Sequence, residues 1–374
     1  MGLPCLGGNM KYGCVHCKLC WNHPIEKCIF CGEEISQVKE TRYNVIGYSE
    51  VFIPSTGNEK VPYFVNLLED KSGNKIFQKS FQKYNIGTII DLEEDMVHEQ
   101  QIGIVGSGLM GVQLAVYMVQ YGFPTVLKTR FEDRKSIAYS KIQKMISKRM
   151  SEEEVRTSLQ LLTITTDYKD LARCDIIIEA VTEDILLKKE VFKDLSKVCK
   201  KSAIFSTNSS SLSIDALASS TDRPEKCIGM HFFNPVHRMD LVEIVVGGVT
   251  SEETKAIIID TVVRLNKKAI LVKNSPGYIV NRLLIPQINE AVLLLEDGIS
   301  SMEDIDSAIK LGLNHPMGPF QLADFIGLDI CVSILDVLFR ELDNSKYMPA
   351  QLLRTKVKEG KLGVKTGEGF YHYK

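Results

Sequence analysis

The chain has 374 residues, more than one ordinary hydrophobic core accommodates, so two or three domains are expected. With 44% apolar and 25% charged residues, and no apolar run near the ~18–20 residues of a helical membrane span, the composition is that of a soluble globular protein. Residues 1–96 carry 10 Lys and Arg against 12 Asp and Glu, and the whole chain has a net charge of −2, which excludes a nucleic-acid binder acting through a basic surface.

The opening segment "MGLPCLGGNMKYGC" lacks the apolar core of a signal peptide, and Leu6 stands where a myristoylation signal has Ser or Thr. A cytoplasmic location is expected. Six of the ten cysteines (Cys5, Cys14, Cys17, Cys20, Cys28 and Cys31) crowd the first 31 residues, while Cys174, Cys199, Cys227 and Cys331 read as small core residues. In a reducing compartment so dense a cluster binds metal rather than forming disulfides. Cys14-x2-Cys17 and Cys28-x2-Cys31 make two knuckles, and four thiolates suit a closed tetrahedral zinc site. Cys17 with Cys20 is the competing first pair. Residues 1–34 are therefore expected to form a zinc ribbon, with His16 and His23 on its surface.

Within residues 35–96, "YNVIGYSEVFI", "VPYFVNLLED" and "NKIFQKSF" are rich in β-branched and aromatic residues and are separated by "PSTGNEK" and "DKSGNK" turns. They predict a small β-barrel, and "DLEEDMVHEQ" (91–100) predicts a linker. At "QIGIVGSGLMGVQLAVYMVQYGF" an apolar strand runs into Gly106-x-Gly108-x-x-Gly111 and then a helix. Placed between strand and helix, these glycines predict a dinucleotide site: a tight turn at Gly106, close approach to a pyrophosphate at Gly108, and close helix packing at Gly111. Further strands are predicted at 125–127, 161–165, 175–179, 203–206, 227–232, 241–246 and 269–272, with helices between most of them, the pattern of a doubly wound sheet. A helix over 134–150 carries Arg134, Lys135, Lys141, Lys144, Lys148 and Arg149, read as a solvated face. Helices over 278–296, 302–311, 320–342 and 347–359 predict an all-α domain from about residue 274. The fold class is thus α/β: a Rossmann-type domain (97–273) followed by a helical domain (274–374) and preceded by the zinc ribbon and an OB-like barrel with its linker (35–96).

From residue 101 onward the chain resembles the short-chain L-3-hydroxyacyl-CoA dehydrogenases. The resemblance rests on "GIVGSGLMG", "EAVTED", "STNSSSLSI", "HFFNPVHRMDLVEI", "VKNSPGYIVNRLL" and "LGVKTGEGFYHYK". It implies a cleft between the two domains, a helical domain that pairs two copies into a homodimer, and a set of site residues. His231 matches the catalytic base, Glu243 the carboxylate that orients it, and Ser210 and Asn281 the groups at the substrate oxygen. Glu183, Lys188 and Lys365 match cofactor contacts, beside the loop Gly106, Gly108, Leu109, Met110 and Gly111. The first 80 residues resemble the zinc-ribbon and OB-fold proteins that accompany thiolases and other acyl-CoA enzymes. They do so through the paired knuckles around Pro24, Gly47 opening a strand, and "PYFVNLLED". This implies a module that binds an acyl thioester or a partner enzyme.

The residue chemistry points the same way. Oxidising a secondary alcohol needs a base with a pKa near neutrality, a carboxylate to fix its tautomer, and hydrogen bonds to an oxygen whose charge changes. The sequence departs from the family after the second Rossmann strand. Thr129 stands where an Asp usually accepts the adenosine ribose hydroxyls, and Arg130 follows it. Loss of the carboxylate and gain of a guanidinium favour the 2′-phosphate of NADP, with Lys128 as a second cation. The opposing reading is an NAD enzyme with Arg130 in solvent. The expected activity is interconversion of 3-hydroxyacyl-CoA and 3-oxoacyl-CoA with NAD(P), in the reducing direction with NADPH. The alternatives are a dehydrogenase for a hydroxyacyl unit on an acyl carrier protein and a catalytically idle thioester-binding scaffold.

Overall fold

The computed structural model describes residues 11–13, 20–21, 36–38, 42–51, 63–69, 73, 75–80, 83–91 and 100–373. The chain divides into two compact units, Met1–Glu99 and Gln100–Lys374. Cys14, Cys17, Cys28 and Cys31, and the linker residues 92–99, lie outside the described residues, so the zinc-ribbon expectation falls there too.

In the first unit, β1 (Lys11–Gly13), β2 (Cys20–Trp21) and β3 (Ser36–Val38) pair antiparallel in the order β2-β1-β3. A second antiparallel sheet has the order β6-β5-β4-β7, from β4 (Arg42–Val51), β5 (Tyr63–Glu69), β6 (Lys75–Ser80) and β7 (Ile89–Asp91). Strand residues alternate between faces, so Phe64, Asn66 and Leu68 are buried together, and Leu68 packs with Tyr43, Val45 and Ile90. Gly47 does not open a strand. It lies inside β4, where the register with β5 shifts between Val45 and Gly47. Among the described residues this sheet is open, with β6 and β7 at its edges.

The second unit begins with an α/β layer. Its strands are β8 (Ile102–Val105), β9 (Thr125–Lys128), β10 (Leu162–Thr165), β11 (Ile176–Glu179), β12 (Ile204–Thr207), β13 (Cys227–Phe232), β14 (Leu241–Val246) and β15 (Lys268–Lys273). Its helices are α1 (Leu109–Gln120), α2 (Asp133–Ile146), α3 (Glu152–Gln160), α4 (Ile185–Val198), α5 (Ile214–Ala218) and α6 (Glu252–Arg264). The sheet order is β10-β9-β8-β11-β12-β13-β14-β15. Neighbours run parallel except β13 and β14, which are antiparallel, so the last two strands, β14 and β15, run opposite to the other six. The central strands β8, β9, β11 and β12 are buried along their whole length, as continuous apolar runs covered by helices on both faces require. The chain winds one way through β8, β9 and β10, then the other way from β11. The switch point therefore lies at the carboxyl ends of β8 and β11.

An all-α layer follows: α7 (Val280–Glu296), α8 (Met302–Gly312), α9 (Pro319–Ile326), α10 (Leu328–Leu342) and α11 (Gln351–Lys358). The single helix expected over 320–342 is two helices, because Gly327 adopts a φ of 107° that no helix accommodates. α2 stops at Ile146 and α11 starts at Gln351, each shorter than expected. Ile285, Ile288, Val292, Phe320, Leu335 and Leu353 form the core of this layer. The final residues are latched onto it by buried Asp324, which accepts hydrogen bonds from the Phe370 and Tyr371 N–H groups at 2.8 Å. Among the described residues, no helix is long and apolar enough to cross a membrane.

Candidate active site

The glycine loop sits at the switch point. Gly106 has φ 113°, and a Cβ there would lie 2.6 Å from the Ala180 carbonyl oxygen. A Cβ on Gly111 would fall 1.8 Å from the Gly106 oxygen, so the helix packs on the loop only without a side chain. Gly108, the residue before α1, faces open space. The start of α1 has no side-chain cap and no acidic residue in its first turn. Leu109 projects into solvent and Met110 is half-buried beside it. Free N–H groups and a positive helix end beside a residue without Cβ fit a dinucleotide pyrophosphate.

Past β9 the side chains divide. Thr129 is buried, and its hydroxyl closes the turn by accepting from Phe131 N at 3.3 Å and donating to Phe131 O at 3.0 Å. Arg130 is exposed, its guanidinium carbon 5.1 Å from the Phe131 ring centre, and among the described residues it pairs with no carboxylate. Lys128 turns inward and does not serve as a second cation at the surface. Its ammonium lies 4.1 Å from the Tyr168 ring centre, and burial lowers its pKa. β9 ends at Lys128, so Arg130, two residues beyond it, is no longer bound to the strand's face.

At the end of β11, Glu179 is fully buried. Lys188 of α4, buried as well, donates to both its oxygens at 2.8 and 2.9 Å and lies 3.2 Å from Glu183. Glu183 in turn organises the loop after β12. Its Oε1 accepts from the Ser209 hydroxyl at 2.5 Å and from Ser210 N at 3.0 Å. Burial pushes the Glu183 carboxyl up, but the Lys188 charge and the Ser209 bond outweigh it and hold it below the ordinary value. Of the three consecutive serines, Ser209 and Ser211 are buried and Ser210 is partly exposed. A cleft of about 360 Å³ opens beside this loop, lined by Leu212, Asn274, Pro276 and, from α10, Val337 and Arg340.

His231 and Glu243 face one another across β13 and β14, with Nδ1 2.7 Å from Oε2. The other carboxylate oxygen accepts from Ile279 N and Val280 N, both at 3.0 Å, at the start of α7. Burial raises the Glu243 carboxyl, but the bonds from His231 and Val280 more than compensate, and its pKa is lowered. An ionised carboxylate only accepts, so the imidazole proton sits on Nδ1 and Nε2 is left for chemistry. Phe233 and Tyr278 pack on the ring, with centroids 4.5 and 5.6 Å away. Asn281, one residue into α7, donates to the Ser210 carbonyl at 3.4 Å.

The structure thus joins His231 to Glu243, Ser210 to Asn281 and Glu183, and Glu183 to Lys188. Lys365 makes its contacts in the helical layer, with an ion pair to Asp329 at 2.5 Å. Several contributors were not singled out by the sequence. Gln113 of α1 donates to Asn234 Oδ1 and accepts from Val236 N, both at 2.8 Å, tying the cofactor helix to the loop after His231. Buried Lys267 holds the same loop through the Val236 and Met239 carbonyls at 2.6 and 2.7 Å. Glu179, closing the apolar run "DIIIE", was the one such residue with a readable hint: a carboxylate where a fully buried strand ends.

Residues 101–275 match the 3-hydroxyacyl-CoA dehydrogenase NAD-binding domain, and residues 277–373 match the C-terminal domain of the same family. The chain is 44% identical over 278 residues to the 3-hydroxybutyryl-CoA dehydrogenase of Clostridioides difficile, covering 73% of this chain and 99% of that protein. It is 40% identical over 289 residues to the mitochondrial hydroxyacyl-coenzyme A dehydrogenase of Sus scrofa, covering 74% and 91%. Among solved structures it is similar to the (S)-3-hydroxybutyryl-CoA dehydrogenase of Ralstonia eutropha, with a TM-score of 0.71 and 40% identity over 74% of this chain and 99% of that one.

Proposed function

The chain belongs to the 3-hydroxyacyl-CoA dehydrogenase family, and from that premise we propose that it interconverts 3-hydroxyacyl-CoA and 3-oxoacyl-CoA, working in the reducing direction with NADPH. The observation that carries this reading is the His231–Glu243 pair, at 2.7 Å and anchored on the first N–H groups of α7. When bound, the nicotinamide ring supplies the hydride chemistry. His231 Nε2 gives a proton to the ketone oxygen in reduction and takes one from the hydroxyl in oxidation. Glu243 holds the tautomer and stabilises the imidazolium. Ser210 and Asn281 donate hydrogen bonds to the same oxygen. Gly106, Gly108, Leu109, Met110 and Gly111 cradle the pyrophosphate, while Glu183 and Lys188 shape the nicotinamide side. Lys365 is assigned to the cofactor by resemblance alone.

The NADP preference is supported by exposed Arg130, without a carboxylate partner among the described residues, and by Thr129 in place of an acid. A homodimer built on the helical layer is supported by its exposed Leu283, Leu311 and Phe325. The spacing of Cys14, Cys17, Cys28 and Cys31 supports a structural zinc in the N-terminal module, which would dock a thioester or a partner enzyme. A panel of CoA and carrier-protein thioesters, each offered NADH and NADPH, tests the reading. Reduction of 3-oxoacyl-CoA by NADPH is expected, and turnover confined to carrier-bound substrates would replace it.

A further inference from the structure

Four non-glycine residues among those described have a positive φ: Asn266, Asn314, Asp343 and Tyr278. Asn and Asp tolerate this conformation through their short polar side chains, but a bulky aromatic does not adopt it without strain. Tyr278, at φ 53°, is therefore held there by its surroundings. Three contacts meet at this residue. Its ring is buried, 5.6 Å from the His231 ring, and packs with Ile214 and Val245. Its hydroxyl donates to the Leu212 carbonyl at 3.0 Å, two residues beyond Ser210. The turn it makes aims the next two N–H groups, of Ile279 and Val280, at Glu243.

We propose that Tyr278 is a positioning residue that sets the serine loop against the His231–Glu243 pair. The strained turn fixes the carboxylate, the ring fixes the imidazole, and the hydroxyl fixes the loop that carries Ser210. One side chain thereby registers the proton donor against the group that binds the reacting oxygen. This rests on the reading of His231 and Ser210 as the catalytic set.

Tyr278→Phe keeps the ring and removes the hydroxyl, with its bond to the Leu212 carbonyl and its contact with the Ser209 side chain. Its kcat for acetoacetyl-CoA reduction is expected to fall about 3- to 10-fold, the range of one lost hydrogen bond. The KM values for thioester and nucleotide should stay within about 2-fold. The isotope effect with 4-deuterated reduced nicotinamide should rise, because the chemical step has slowed; a loss of folded protein would lower kcat and leave the isotope effect unmoved. Amide exchange of residues 208–213, read by mass spectrometry without cofactor or substrate, should accelerate while β8 and α1 stay protected. Tyr278→Leu, which also removes the ring, should lose more activity. Wild-type kcat, isotope effect and exchange in Tyr278→Phe would overturn the proposal. If the wild-type protein reduced no 3-oxoacyl-CoA, the proposed reaction would fail instead, and the exchange of residues 208–213 alone would then decide the positioning role.

Discussion

His231 and Glu243 are directly opposed residues of the one antiparallel pair among the described strands of the large sheet, β13 and β14. Opposed residues in such a pair project from the same face a few ångströms apart. The change of strand direction between β13 and β14 therefore builds the dyad, and the sheet rather than a loop holds it. The carboxylate cannot swing away, because its second oxygen is fixed by two N–H groups of α7.

Glu243→Gln should preserve the fold and lose turnover. The amide oxygen still accepts from Ile279 and Val280, but the amide nitrogen then donates to Nδ1. The imidazole proton moves to Nε2, the wrong nitrogen for a base. A fall in alcohol-oxidation kcat of about 10²–10⁴ is expected in a variant that still folds. Rates for purified Glu243→Gln within threefold of wild type would show that the carboxylate does not orient the imidazole.

Acid should destabilise the second unit through two hydrogen-bonded carboxylates. Glu243 and Glu183 both have folded pKa values below their ordinary 4.5. Each contributes stability that is present in full above that value and is lost as pH falls through the lowered folded one. Denaturant midpoints should therefore be flat from pH 7 to about pH 5 as regards these groups, and fall below it. The slope should be shallower in Glu243→Gln, and an unchanged acid slope there would contradict the assignment.

Lys188 lies sealed between Glu179 and Glu183. Lys188→Met leaves the buried Glu179 carboxylate without its counter-charge, which costs on the order of 3–5 kcal/mol. A large drop in melting temperature is expected, with faster amide exchange in the 208–213 loop that Glu183 organises. A stable variant with wild-type exchange would show that Lys188 does not hold the Glu179 and Glu183 carboxylates in place.

Arg130→Ala should raise the KM for NADPH roughly tenfold to a hundredfold and leave that for NADH nearly unchanged, since a charge-assisted bond to the 2′-phosphate is worth about 1.5–3 kcal/mol. Lys128, held against Tyr168, should matter little to this choice. A wild-type preference for NADH, unaltered in Arg130→Ala, would return the guanidinium to solvent.

Much of this was legible in the sequence, for identifiable reasons. The glycine spacing encodes steric facts, a Cβ on Gly106 or Gly111 colliding with backbone, so it survives as a motif. Fully buried strands announce themselves as apolar runs. Other features left no local trace. The break at Gly327 depends on a backbone angle, and a lone glycine in an apolar helical pattern does not declare one. Lys128 reads as a surface cation until its strand face is known. Gln113 reaches Asn234 across 121 residues of sequence, and no periodicity reports such a bridge. The reversed direction of β14 and β15 is equally silent, since a strand's residue pattern reads the same in either direction.

The central claim is that this chain reduces a 3-oxoacyl-CoA with His231 as the proton donor. The direct test is the loss of reduced-nicotinamide absorbance with acetoacetyl-CoA, measured for the wild-type protein and His231→Ala at equal folded concentration. The account predicts turnover in the first and a kcat lower by about 10²–10⁴ in the second, with nucleotide affinity retained. Equal turnover in the two, or none in a wild-type protein that binds the nucleotide, would contradict it.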